Sequence, residues 1–167
     1  ELGINYALII NSNAGLWGYN IGDTVKFVSK DPYRIIVSGR IKHFISAFGE
    51  HVIGEEVEYA LAKGLAKVPC NIIEFTVAPM IQVAQGLPYH EWLIAFEQVP
   101  ENLEQLAKEI DLALQEKNVY YKDLLSGGIL QTLQIKVLQK DAFIQYMKAE
   151  GKLGGQNKVP RLSNDRK

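Results

Sequence analysis

The sequence has little cysteine, no long apolar run and almost no net charge, and each absence excludes a class of protein. Cys70 is the only cysteine, so an internal disulfide and a multi-cysteine zinc site are both excluded. The 18 Lys and Arg residues against 19 Asp and Glu give a formal net charge of −1, which provides no global attraction to nucleic acid or to a membrane surface. No apolar run reaches the ~18 residues of a membrane span. We therefore expect no nucleic-acid partner and no membrane.

The chain also lacks the common signals at its start and for phosphate binding. Its first residues include no initiator Met, basic region or long apolar core, so they are not a signal peptide. A glycine-rich phosphate loop of either common type is missing. The 47% hydrophobic and 22% charged residues are ordinary for a globular protein. We expect a cytoplasmic chain that is part of a longer one.

Residues 1–40 read as short strands separated by turns. Tyr6–Ile10 is a compact apolar run, Thr24–Val28 alternates, and Tyr33–Ser38 is β-branched and aromatic. The Lys30-Asp31-Pro32 segment predicts a hairpin between the last two of these strands. A segment this short has no room for a core and would be marginally stable alone.

Residues 41–150 follow strand and helix patterns in alternation. The predicted elements are a strand over His43–Phe48, a helix over Glu55–Val68, strands over Asn71–Ala78 and Glu91–Glu97, a helix over Pro100–Glu116, a strand over Gln131–Leu138 and a short helix after Asp141. The helices are predicted from apolar residues that recur every 3.6 positions, and the strands from strict alternation of apolar and polar residues. This order predicts an α+β fold, in which a ferredoxin-like (split βαβ) antiparallel sheet with helices on one face follows the β-rich first segment.

One candidate binding motif is Tyr19-Asn20-Ile21-Gly22-Asp23, which we expect to form a turn between two strands. A carboxylate only accepts hydrogen bonds and can take two hydroxyl hydrogens at once, which suits the vicinal diol of a ribose. The alternative is an Asp that merely satisfies its own turn.

A second candidate segment is Ser38–His43, which places Gly39 before Arg40 and has Lys42 in a short connector. An ordinary basic linker is the alternative there.

The most suggestive segment is Gly154–Arg161 near the end of the chain. Its glycines indicate mobility, and Lys158 and Arg161 lie three residues apart with Pro160 between them. A mobile cation can enter a site where negative charge develops, such as an adenylate or its phosphate. The alternative is a solvated tail. We expect residues 151–167 to be mobile in this chain.

Three other residues could carry chemistry but lack the necessary partners. His51 lies near Glu55 and Glu56 without a second histidine, so we predict no metal site in this chain. His90 has no Ser or Cys nucleophile motif to pair with. Cys70 follows Pro69 and is typical of a small buried residue.

Taken in order, these segments resemble the C-terminal third of the adenylate-forming enzymes. The shared motifs are Tyr19…Gly22-Asp23, Gly39-Arg40, Gly49-Glu50-His51-Val52 before an acidic helix start, and Lys158 after glycines. The closer resemblance is to the auxin-responsive acyl acid amido synthetases, a plant-type family with bacterial homologues. It rests on Ala14–Asp23, Asn118–Tyr120, Leu133–Val137, Asp141–Phe143, Tyr146–Met147 and Gln156–Arg161.

This resemblance implies a two-step ligase. ATP and a carboxylic acid would form an acyl-adenylate and pyrophosphate, and an amino acid would then attack to give an amide and AMP. Asp23 would hold the ribose hydroxyls, Tyr19 would line the nucleotide pocket, and Arg40 would contact the nucleotide. Lys42 would mark the hinge between domains. Lys158 would act in catalysis by stabilising charge around the adenylated carboxylate.

The resemblance also implies a domain division. Residues 1–40 would be the β-rich tail of a large adenylation domain, and residues 41–167 a mobile C-terminal lid. The phosphate loop, the acyl pocket and the Mg²⁺ ligands would lie in a missing N-terminal domain, so we expect this chain alone to be inactive.

Two alternative functions are an adenylate-forming enzyme that makes acyl-CoA and a non-catalytic ferredoxin-like binding module. The terminal Gln156–Arg161 motif favours the amide-forming branch.

Overall fold

The computed structural model describes residues 1–40, 44–154 and 157–164, without the side chains of Arg40 and Phe44. The chain divides into two compact units, Glu1–Phe44 and Ile45–Lys167. Among the described residues, no helix combines the length and the apolar character needed to cross a membrane.

The first unit is a three-stranded antiparallel sheet in the order β1-β2-β3. Its strands are β1 (Asn5–Ile10), β2 (Tyr19–Lys30) and β3 (Tyr33–Arg40). Lys30 pairs with Tyr33 across the connection between β2 and β3, which confirms the predicted hairpin. Val25 is the one buried hydrophobic residue among those described in this unit. So small a core agrees with the prediction that residues 1–40 would be marginal alone.

The predicted turn at Tyr19–Asp23 is wrong, because these residues begin the long strand β2. Tyr19 pairs with Ile10 and Thr24 pairs with Ala7, but the register shifts between these pairs. A shift of this kind is a β-bulge, which lets one strand carry extra residues against its partner. Gly22 has φ +85° in the bulge, and its N–H donates to Asn20 Oδ1 at 2.9 Å. The residues that are typical of a turn, such as Gly22, therefore form a bulge inside strand β2.

From Phe44 onward, the described residues form five strands and four helices. They are β4 (Phe44–Ile45), β5 (Val52–Ile53), α1 (Gly54–Lys67), β6 (Ile72–Met80), β7 (Tyr89–Phe96), α2 (Leu103–Lys117), α3 (Val119–Ser126), β8 (Gln134–Leu138) and α4 (Ala142–Ala149). The α+β class is confirmed. The helix α3 is missing from the prediction. Its start is capped by Asn118, whose side chain accepts from the N–H of Tyr121.

The main sheet is mixed, which corrects the expectation of an antiparallel sheet. The strand order is β6-β7-β8. The strands β6 and β7 pair antiparallel as predicted, whereas β7 and β8 run parallel. Helices α2 and α3 lie between β7 and β8 in the chain, and such a crossover returns the chain in the same direction. Of the predicted strand over His43–Phe48, the structure pairs Phe44–Ile45 with β5, and His43 lies outside the described residues.

Helices α1 and α2 cover one face of this sheet. Phe75 and Val77 of β6 and the alternate residues Trp92 and Ile94 of β7 share one buried cluster with both helices. Gly64 of α1 lets the helices approach closely, since a Cβ there would lie 2.5 Å from Ile110 Cγ1.

The helix α4 does not share that face, which corrects the expectation of helices on one side. Phe143 of α4 lines a cavity of about 220 Å³ together with Thr76 and Leu93. Thr76 and Leu93 alternate along their strands with the buried core positions. Because successive side chains of a strand point to opposite faces, α4 lies on the other side of the sheet.

Candidate functional site

The pairing of β2 and β3 brings two of the sequence-predicted nucleotide residues opposite each other. Asp23 and Arg40 are direct Cα partners in this antiparallel ladder. Asp23 is half-buried, and Ser38 donates a hydrogen bond from its Oγ to Thr24 Oγ1 at 3.2 Å just beside the pair. Tyr19 lies at the start of β2, and its side chain is 51% exposed. Lys42, the predicted hinge residue, lies outside the described residues.

The C-terminal segment 157–164 is docked against β6, so the expectation of a mobile tail is wrong for this segment, while residues 155–156 and 165–167 lie outside the described part of the chain. The N–H of Val77 donates to the carbonyl of Arg161 at 3.0 Å, and the N–H of Ser163 donates to the carbonyl of Val77 at 2.9 Å. Leu162 is 3% exposed and belongs to the main buried cluster. The strand β6 is at the edge of its sheet, so its unpaired backbone groups can accept another extended segment.

Arg161 fixes this segment through its side chain as well. Its Nη1 forms a salt bridge with Glu74, and its Nε lies 3.4 Å from Glu58 Oε1. Nη1 also donates to the carbonyl of Phe75 at 3.4 Å, and the guanidinium lies 4.6 Å from the centroid of the Phe75 ring. One side chain therefore joins the segment to both α1 and β6. A planar guanidinium suits this position, because its donors point in several fixed directions and its face can stack on a ring.

Lys158, the sequence-predicted catalytic residue, is exposed on the same segment. It lines an open cavity of about 510 Å³ together with Glu58, Glu74 and Arg161. The hydroxyl of Thr76 donates to the carbonyl of Pro160 at 2.7 Å, so the chain is held two residues after Lys158. The backbone close to Lys158 is therefore fixed to β6, and its ammonium group can move only by the length of the side chain and two residues.

A buried polar network ties the turn before α1 to the main sheet. Glu50 and His90 are both fully buried, and Glu50 Oε1 lies 2.9 Å from His90 Nε2. Glu50 Oε2 accepts from the N–H of Phe48 at 2.8 Å, and Asn118 Nδ2 donates to the Glu50 carbonyl at 3.0 Å. Burial opposes ionisation of Glu50, but the hydrogen bonds from His90 and from backbone N–H groups outweigh it and lower the pKa of the carboxyl.

The same network continues into the helices through Tyr121 and Asp111. The ring of His90 stacks on Tyr121 with centroids 5.0 Å apart, and the Tyr121 hydroxyl donates to Asp111 Oδ1 at 2.6 Å. Burial and the neighbouring Asp111 carboxylate raise the pKa of Tyr121. Asp111 also accepts from the N–H of Leu133 at 3.1 Å. The ring of His90 is fully buried between Glu50 and Tyr121, so it belongs to the core of the second unit.

Two family models match different parts of the chain, and both describe domains of the same family. Residues 55–167 match the family model of the GH3 family C-terminal domain, and residues 1–40 match that of the GH3 family central domain. The chain belongs to the GH3 family. This confirms the family resemblance found in the motifs. No curated protein matches the sequence significantly.

Solved structures similar to this GH3 chain show the same fold. One is a GH3.15 acyl acid amido synthetase, with a TM-score of 0.75 and 18% identity over 99% of this chain and 32% of that one. Another is an AtGH3.15 acyl acid amido synthetase in complex with 2,4-DB, with a TM-score of 0.74 and 17% identity over 99% of this chain and 31% of that one. The chain thus spans about a third of the length of these relatives.

Two features of this GH3 chain were not found from its motifs. Arg161 stands in the terminal motif, but its contacts with Glu58 and Glu74 join residues 103 and 87 positions away in the sequence. Glu50 and His90 each drew attention separately, yet they are 40 positions apart and no local pattern pairs them. The signal that could have indicated them was polar residues inside otherwise apolar patterns, since buried polar groups need partners.

Proposed function

We propose that this GH3 chain is the C-terminal part of an ATP-dependent acyl acid–amine ligase. The supporting observation is that the central and C-terminal GH3 family models match consecutive parts of one chain, over residues 1–40 and 55–167. The similar solved structures are acyl acid amido synthetases about three times as long. The substrates would be a small carboxylic acid, ATP and an amino acid.

The proposed reaction has two steps. A carboxylate oxygen of the acid attacks the α-phosphorus of ATP, and the bond to pyrophosphate breaks. The amine nitrogen of the amino acid then attacks the carbonyl carbon of the acyl-adenylate, the bond from this carbon to the AMP oxygen breaks, and the nitrogen loses a proton. The products are an amide, AMP and pyrophosphate.

Residues of both units have roles in this proposal. Asp23 would accept the two hydroxyl hydrogens of the ribose, since a carboxylate offers two acceptor oxygens. Arg40, opposite Asp23 in the ladder, would contact the nucleotide, and the exposed ring of Tyr19 would line its pocket. Lys158 would place its ammonium against the negative charge around the α-phosphate and the carboxylate being adenylated. Asp23 and Arg40 thus bind, and Lys158 acts in catalysis.

The proposal assigns the remaining machinery to another part of the polypeptide. ATP-dependent ligases use Mg²⁺ with the nucleotide, but the described residues include no group of three His, Cys, Asp or Glu side chains that could hold a metal ion. The metal ligands and the acyl pocket would then belong to the N-terminal adenylation domain. Residues 1–40 would complete that domain, and residues 41–167 would form a lid that turns about Lys42 and closes the site. The chain alone would be inactive.

The first test is acid-dependent exchange of labelled pyrophosphate into ATP, measured on the protein translated from the whole reading frame around this sequence. We expect exchange with the longer protein and none with the 167-residue chain. Exchange by the 167-residue chain alone would contradict the assignment of the acyl pocket elsewhere. A start codon immediately before Glu1 would instead support the binding module.

The acyl-CoA-forming alternative requires a separate comparison. The longer protein is given ATP and an acid with either amino acids or coenzyme A as the acceptor. Formation of an amide supports the ligase, whereas formation of a thioester alone supports the alternative.

A further inference from the structure

We infer that Arg161 is a positioning residue for Lys158: it clamps segment 157–164 to α1 and β6 and neutralises two carboxylates that line the same cavity as the lysine. This inference rests on the proposed catalytic role of Lys158. Lys158 then lies on a segment that is docked on β6, and not on a mobile tail.

The first part of the argument is the position of the clamp in the segment. The backbone of Arg161 accepts from Val77, and its side chain contacts Glu58, Glu74 and Phe75. The next residue, Leu162, is buried in the core. Arg161 and Leu162 are consecutive, so ion pairs and a buried apolar contact hold the segment at the same point.

The second part is charge. Glu58 and Glu74 line the same cavity as Lys158, and both form salt bridges with Arg161. If Arg161 is removed, both carboxylates of this cavity lose their cation. They would then attract the ammonium of Lys158, which lines the same cavity, and turn it away from the nucleotide. Arg161 therefore holds the segment that carries Lys158 in place and keeps the lysine ammonium free to contact the nucleotide.

The third part is the choice of residue. Arg161 makes an ion pair on each of two elements, donates to a backbone carbonyl and stacks on an aromatic ring. A lysine at this position would keep the charge but could not make these contacts together. The conservative variant Arg161→Lys is therefore expected to restore only part of the function.

One experiment tests the clamp on the 167-residue chain by hydrogen exchange. In Arg161→Ala, the amide of Ser163, which donates to Val77, is expected to exchange at least ~10-fold faster, because local undocking opens it. The amide of Ile94 in the central strand should be unchanged. Lys152→Ala is the matched control, since it removes a cation of the same stretch that pairs with Glu150 on the surface at 3.4 Å. Unchanged exchange at Ser163 in Arg161→Ala would overturn the inference.

The second experiment uses the longer enzyme and measures adenylation. Arg161→Ala is expected to lower kcat roughly 10- to 100-fold, as small displacements of a catalytic group do, with KM for ATP within about twofold. Arg161→Lys should recover part of kcat, and Lys152→Ala should leave it unchanged. The double variant Arg161→Ala/Lys158→Ala should be no slower than Lys158→Ala, because both changes remove the same interaction.

The outcomes separate this inference from the proposed function. If the losses of the two single variants multiply in the double variant, Arg161 does not act through Lys158 and the inference is wrong. If Lys158→Ala leaves kcat unchanged, the catalytic role of Lys158 is wrong, and the exchange at Ser163 still decides whether the clamp exists. If Arg161→Ala fails to fold by circular dichroism, Glu74→Gln and Arg161→Lys provide the same two measurements.

Discussion

Glu50 and His90 form a hydrogen-bonded pair with no exposed side-chain surface, joined at 2.9 Å between Oε1 and Nε2. The pair fastens the turn that leads into α1 onto the central strand β7. Its stability depends on the charge of Glu50, because the pKa of that carboxyl is lowered in the folded state. Removing either member of a buried hydrogen-bonded pair leaves the other member without its partner, which costs free energy.

The first prediction concerns acid stability. A lowered folded-state pKa contributes stability above the unfolded-state pKa, near 4.5, and this contribution is lost as the pH falls through the folded-state value. Glu50→Gln cannot ionise, so it should be less stable at pH 7 by roughly 1–3 kcal/mol and should lose less stability on acidification below pH ~5. Urea unfolding at several pH values measures both effects. The exposed Glu101→Gln is the control, and an unchanged pH dependence in Glu50→Gln would contradict the role of the pair.

The second prediction concerns the contact between α1 and α2. A Cβ at position 64 would meet Ile110 Cγ1 at 2.5 Å and Leu106 Cδ1 at 3.2 Å. Gly64→Ala should therefore destabilise the protein by about 1–3 kcal/mol, despite the better helix propensity of alanine. Gly54→Ala in the same helix is the matched control, because nothing lies within 4 Å of its added Cβ. Thermal unfolding should show a lower Tm for Gly64→Ala; equal values in the two variants would refute the close contact.

The third prediction concerns the docked C-terminal segment. Leu162 is 3% exposed and Leu153 of the same tail is 55% exposed. Leu162→Ala removes buried apolar surface, and such changes in a well-packed site cost ~2–5 kcal/mol. The cost here appears as undocking, so trypsin should cleave after Lys158 and Arg161 faster in Leu162→Ala than in the native chain. Leu153→Ala should be cleaved at the native rate, and equal protection in all three chains would argue against docking.

The fourth prediction concerns the ribose. If Asp23 accepts both ribose hydroxyls, the longer enzyme should prefer ATP to 2′-deoxy-ATP, because a hydrogen bond to a charged group is worth ~1.5–3 kcal/mol. Asp23→Asn should reduce this preference by about tenfold or more. The discrimination is measured as the ratio of kcat/KM for the two nucleotides. Asp31→Asn in the turn between β2 and β3 is the control, and retention of the full preference in Asp23→Asn would rule out the assigned contact.

The elements with strong periodicity could be predicted from the sequence. The apolar stripe over Glu55–Val68 corresponds to α1, and the alternation over Asn71–Ala78 corresponds to β6. Both patterns arise because one face of each element packs into the core, so the period is written into neighbouring residues. The eight-residue α3 has no such long pattern, and it depends on its cap at Asn118 and on the buried Tyr121.

Contacts between residues far apart in the sequence could not be predicted from local patterns. The parallel pairing of β8 with β7 depends on how α2 and α3 return the chain, which no alternation of side chains records. The tail was expected to be mobile because its glycines and charges are typical of disorder. Its docking instead depends on Leu162 and on the open edge of β6. At the candidate site, the motifs indicated Asp23, Arg40 and Lys158, whereas the clamp at Arg161 required the fold.

The most direct test of the account is product analysis with the longer enzyme, ATP, a carboxylic acid and an amino acid. The account predicts an amide and AMP in equal amounts by mass spectrometry, with both lost in proportion in Lys158→Ala. Formation of ADP with the amide, or formation of the amide at an unchanged rate in Lys158→Ala, would contradict it.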